Sequence, residues 1–125
     1  MDDVRIDRAG AVPTYTITMG GLVHINFDFK LLDSAGTNKV DEKQGVNTAQ
    51  PRFTFKLDAV PISGLDGRIL SLVGVAASFD GSSTPQYDVT VTVDQGANST
   101  PMTVTKPALS GGSATFFGSV KFTVI

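Results

Sequence analysis

The chain predicts an all-β fold, an antiparallel β-sandwich of about seven to nine strands with minimal helix; a small β-barrel is the alternative. Three observations carry this. The composition is rich in Gly, Ser and Thr, holds a single Glu and lacks Trp, which disfavours helix and suits strands and turns. The stretch Leu22–Leu32 alternates without a break: Val23, Ile25, Phe27, Phe29 and Leu31 on one side, His24, Asn26, Asp28 and Lys30 on the other. That period of two describes a strand with one face in a core. Clusters of Gly, Pro, Asn, Asp and Ser then separate further short apolar runs along the chain.

In chain order, residues 1–13 read as an N-terminal arm or edge strand, with Val4 and Ile6 set between charges and Pro13 closing the segment. Residues 14–125 read as a single sandwich domain, which suits a length of 125 residues. Tyr15–Met19 is a short strand, and Gly20-Gly21 turns it into the long one. Residues 33–51 are polar and show no period, so they read as a long mobile loop carrying the charged run Lys39-Val40-Asp41-Glu42-Lys43. Arg52–Leu57 alternates, and residues 58–67 have the Pro, Gly and Asp-Gly chemistry of turns.

Arg68–Phe79 is the most apolar piece. Its β-branched residues and Gly74 favour a strand that is apolar on both faces. Ile69, Val73, Val75 and Phe79 are expected to point inward, leaving Leu70, Leu72, Gly74 and Ala76 outside. Tyr87–Asp94 is a clean strand, Met102–Thr105 a short one, and Thr115–Phe117 with Val120–Ile125 a final pair around Gly118. The expected core is Val23, Ile25, Phe27, Phe29, Phe53, Phe55, Val73, Val75, Val89, Val91, Phe122 and Val124. If consecutive strands simply alternate direction, loops 33–51, 80–86 and 106–112 share one end. The turns at 20–21, 58–67, 95–101 and 118–119 then share the other.

The chemistry in the sequence is sparse. There is no cysteine, which excludes disulfides, thiol catalysis and cysteine-bound zinc. The net charge of -2 offers no basic footprint for nucleic acid. No apolar run is long enough to span a bilayer as a helix. The N-terminus has no apolar h-region, so no signal peptide is read. Residence in the cytoplasm, removal of a leader and export inside a particle all fit this, with an extracellular or particle-associated setting preferred. The lone histidine, His24, lies on one strand face with Asn26 and Asp28. Alternate strand residues sit roughly 6.5–7 Å apart, too far for His24 and Asp28 to pair directly, so this reads as a solvated face. Asp66-Gly67 and Asp80-Gly81 each supply one carboxylate, too few for calcium. No metal or other cofactor is expected, and the sequon Asn98-Ser99-Thr100 reads as chance.

Two functions follow as expectations. The first is a non-catalytic structural or interaction protein that self-associates as a homo-oligomer or decorates a larger assembly. Its contacts would be Val4, Ile6, Leu70, Leu72, Gly74 and Ala76. The alternative is a small ligand-binding module, sugar first, using Asp33, Asp41, Glu42, Lys43, Asp80, Ser82 and Ser83 at the loop end. With no Trp and only Tyr15 and Tyr87, a stacking platform for sugar is poorly supplied.

Overall fold

A computed structural model describes residues 1–125. It is a β-sandwich of two open sheets. The larger holds β1 (Asp2–Ile6), β10 (Ser113–Val124), β6 (Ile69–Ser78), β3 (Val23–Leu32) and β4 (Lys39–Val46), in that spatial order. The two-residue β9 (Val104–Thr105) also pairs with β10. The smaller sheet runs β5 (Arg52–Lys56), β2 (Thr14–Gly21), β7 (Tyr87–Gln95), β8 (Asn98–Met102). Every pairing is antiparallel except β1 with β10, which is parallel. The one helical element is a 3-10 turn at Ile62–Leu65.

The alternation in β3 is realised directly: Val23, Ile25, Phe27, Phe29 and Leu31 are all buried between the sheets. Opposite them lie Tyr15, Ile17 and Met19 of β2 with Val89, Val91 and Val93 of β7. Phe27, Phe29, Phe53, Phe55 and Tyr15 form one aromatic cluster, with Phe27 and Phe53 ring centroids 5.1 Å apart. Phe53 and Phe55 flank this core half-buried, because β5 is an edge strand.

The facing of β6 is the reverse of the expected one. Leu70, Leu72, Gly74 and Ala76 point into the core, while Val73 is 50 % and Phe79 71 % exposed. The reason is register. A one-residue shift exchanges the two faces of a strand, and β6 is apolar on both, so an apolar count does not choose between them. Ser71 is the polar member, and it sits on the Val73 face, turned to water. Space also decides. A side chain at Gly74 would collide with the Phe116 ring and come within 2.5 Å of the Asn26 carbonyl. The self-association set fails with it: Leu70, Leu72 and Ala76 are fully buried, and Val4 and Ile6 are core residues of β1 beside β10.

Residues 33–51 are not a loop. They contain β4, which pairs with β3 from Asn26↔Val46 to Leu32↔Lys39. The strand lacks a hydrophobic period because it is a charged edge. Its inner side is supplied by Gly45, which lies flat against Phe27 and Phe53. Asn47 extends the ladder beyond β4: its Oδ1 accepts the Ile25 N–H at 2.8 Å and its Nδ2 donates to the Val23 carbonyl at 2.8 Å. The expected pair at 115–117 and 120–125 is likewise one strand, Ser113–Val124, with Gly118 leaving room for the Thr103 carbonyl to approach.

The extra strand changes which loops share an end. Loops 79–86 and 106–112 do lie together, and the Gly112 N–H donates to Ser83 Oγ at 3.1 Å. The β2–β3 turn and residues 47–51 join them, whereas the 33–38 turn lies at the opposite end with residues 57–68. Gln95 ties β1 to the core. Its Oε1 accepts the Asp7 N–H at 2.7 Å, and its Nε2 donates to the carbonyls of Asp7 and Ala11.

Candidate functional site

The loop-end residues do not form a site. Asp33 lies in the β3–β4 turn, and Asp41, Glu42 and Lys43 lie along β4. Asp80, Ser82 and Ser83 sit at the far end of the domain. Each has a local partner. Asp80 Oδ1 accepts the Ser82 N–H at 3.0 Å, which holds its carboxyl below the usual range. Asp33 accepts from the Thr37 N–H and Asn38 Nδ2, both at 2.9 Å, and from the Asn38 N–H at 3.3 Å.

These bonds, the Thr37 N–H first, lower the Asp33 pKa from 3.8 to about 2. A carboxylate depressed in the fold stabilises above its unfolded pKa and stops doing so as pH falls through the folded one. The turn clamp is therefore complete above about pH 4 and is released as pH drops through about 2. An NMR titration of the Asp33 side chain should have its midpoint near 2. A midpoint at the ordinary 3.8 would show that the clamp is not formed.

The surface on which unpaired chemistry does converge is the outer face of the larger sheet. Its register sets Phe117, Val73, Asp28 and Gln44 side by side across β10, β6, β3 and β4. The next row is Thr115, Val75, Asn26 and Val46. Val73 and Phe117 are each 50 % exposed and Val75 38 %. They form an apolar ridge along β6 and β10. Beside it runs a trough of about 640 Å³ along β3, lined by Asn26, Asp28, Lys30, Gln44, Val46 and the valines of the ridge. Asn26 is held low in the trough because its Oδ1 accepts the Val75 N–H at 3.2 Å.

Charges border the trough on its β4 side. Lys39 Nζ lies 2.7 Å from Glu42, and Lys30 Nζ lies 3.4 Å from Asp28 and 3.9 Å from Glu42. The Lys39 hydrogen bond, followed by the Asp28 side chain, lowers the Glu42 pKa; the same bond raises that of Lys39. Asp28 Oδ1 is enclosed without a hydrogen-bond partner. No three His, Asp or Glu side chains converge to hold a metal ion. His24 meets the Phe79 ring edge-on at 6.5 Å. Tyr15 is buried in the core, and that burial, with Asp41 and Asp58 nearby, raises its pKa.

The outer face of the smaller sheet is different in kind. Thr14, Thr16, Thr18, Thr54, Thr90 and Thr92 cover it, with Arg52, Lys56, Asp88 and Asp94 around them. The Thr16 and Thr54 hydroxyls hydrogen-bond to each other at 2.9 Å. On β8 the face continues with Ser99 and Pro101, and Pro101 is its one exposed apolar side chain.

The ridge was hidden in the sequence by the reversed facing of β6. One signal for it exists. Phe116 and Phe117 are adjacent in a strand, so they must point to opposite faces, and one of them must leave the core. Comparison with known proteins adds nothing to this surface: no protein family, curated protein or solved structure matches the chain. No helix of the chain is long and apolar enough to cross a membrane.

Proposed function

We propose that the chain is a non-catalytic structural or interaction module that meets a protein partner through the outer face of its larger sheet. One observation carries this: the two outer faces of the same sandwich differ. One is hydroxyl and charge apart from Pro101 at its β8 edge. The other places Val73, Val75 and Phe117 in a contiguous exposed ridge with polar side chains around it. An apolar centre with a polar rim is the usual anatomy of a contact surface, and exposed apolar groups gathered in one place mark such surfaces more than scattered ones do. The sugar reading has less support. Its loop residues lie at two ends of the domain and along an edge, and no exposed aromatic lines the trough, Phe117 standing on the far side of Val73.

The test is a tagged chain expressed in its source cells and sized under native conditions. The unmodified chain should travel in a complex heavier than its own 13.1 kDa. Val73→Lys with Phe117→Lys should return it to that mass. Because both residues are exposed, unfolding free energy should change by less than about 1 kcal/mol. Thr18→Lys with Thr90→Lys, on the other face, should leave the complex intact. Equal behaviour of the two double variants would overturn the proposal.

A further inference from the structure

We infer that the partner on this face is a second copy of the chain, packed sheet to sheet in a two-fold dimer. The inference rests on the contact-face reading above and names its occupant. Shape is the first support. The ridge on β6 and the trough on β3 are immediate neighbours. A two-fold axis parallel to the strands, between β6 and β3, lays the ridge of each copy into the trough of the other. The same patch then serves both partners, as a closed two-fold contact requires. In that arrangement β10 of one copy lies over β4 of the second, bringing Ser71 and Ser119 toward Lys30 and Glu42 across the contact.

Charge is the second support. The face carries both signs, Arg5, Lys30, Lys39 and Lys121 with Asp3, Asp28 and Glu42. A surface shaped for an acidic or a basic partner would show mainly one sign. On the axis above, Lys121 of one copy comes over Lys39 of the other, whose charge Glu42 already pairs at 2.7 Å, and a chain net charge of -2 adds little long-range repulsion.

Area is the third. Ten residues of strand span about 34 Å, and four strand spacings about 19 Å. The footprint is therefore about 650 Å², close to the roughly 800 Å² per partner of a standard stable interface.

The edges point the same way by exclusion. β4 presents Lys39, Asp41, Glu42 and Lys43, β1 presents Asp2, Asp3 and Arg5, the short β5 presents Arg52 and Lys56, and β8 contains Pro101. Charges and proline on edge strands oppose edge-to-edge pairing. Self-association is left to the face.

The chain lacks cysteine, so one introduced thiol is unique. The purified 125-residue chain should move from 13.1 kDa toward twice that mass between about 1 μM and 1 mM in sedimentation equilibrium. Val73→Cys, close to the proposed axis, should be joined into a covalent dimer by a short bis-maleimide. Thr18→Cys should not be. Val73→Lys with Phe117→Lys should weaken self-association at least about tenfold while keeping the β-sheet circular dichroism spectrum. A single 13.1 kDa species over the whole range, with Val73→Cys left unjoined, would overturn the inference. If the native complex in source cells still depended on Val73 and Phe117, the contact face would stand with another partner. Loss of that dependence as well would remove both.

Discussion

Gly74→Ala should destabilise the domain by at least about 3 kcal/mol, an unusually large cost for adding one methyl group. The backbone at Gly74 needs no left-handed conformation, so the glycine is there for space. It sits in the middle of β6, opposite Phe27 on β3 and Phe116 on β10. The Phe116 ring, itself fully buried, lies over the missing side chain, and the Asn26 carbonyl approaches from β3. A Cβ there meets two obstacles of different kinds. The ring can move only by disturbing close-packed neighbours. The carbonyl is backbone, and shifting it strains the β3–β6 ladder. Phe116→Leu should therefore rescue Gly74→Ala only in part, giving a coupling below the full loss in a double-mutant cycle. Urea melts of the four proteins measure this. A Gly74→Ala loss under about 1 kcal/mol would mean that β6 is not seated as described.

The same strand shows how far the sequence could be read. The sandwich itself was legible, because β3 and β7 each have one apolar and one polar face and only one orientation buries the right side. β6 has no such asymmetry, and its facing is set by neighbours remote in sequence: Phe116 filling the gap at Gly74, and Leu70 and Leu72 meeting the core. β4 was illegible for another reason. An edge strand with charges on both sides carries no hydrophobic period, and what holds it is pairing with β3, the Asn47 bonds and the contact of Gly45 with Phe27. The contact face inherits both difficulties. Val73 and Val75 read as core because they are apolar, and Gln44 and Val46 read as loop because they lie in a polar stretch. Only the three-dimensional register sets Val73 beside Phe117 and Asp28 beside Gln44.

Phe27→Ala should cost about 3–5 kcal/mol, a large share of the roughly 5–15 kcal/mol that holds a domain of this kind folded. Phe27 is the hub of the aromatic cluster, with ring centroids 5.6 Å from Phe29, 5.1 Å from Phe53 and 6.1 Å from Phe55. Removing it leaves a cavity between the two sheets and strips the edge strand β5 of a main contact. It also removes what Gly45 rests on. In the unmodified protein a side chain at Gly45 would come within 2.5 Å of the Phe27 ring, so Gly45→Ala alone should be destabilising. In the Phe27→Ala background that obstacle is gone. The added methyl then fills part of the cavity, leaving Phe53 as its remaining close neighbour at 3.1 Å. The two substitutions should therefore be less costly together than the sum of their separate costs, with a coupling of about 0.5–3 kcal/mol. Additive losses would place β4 away from Phe27. The trough on the outer face, which β4 borders, would then lack the wall that Gln44 and Val46 give it.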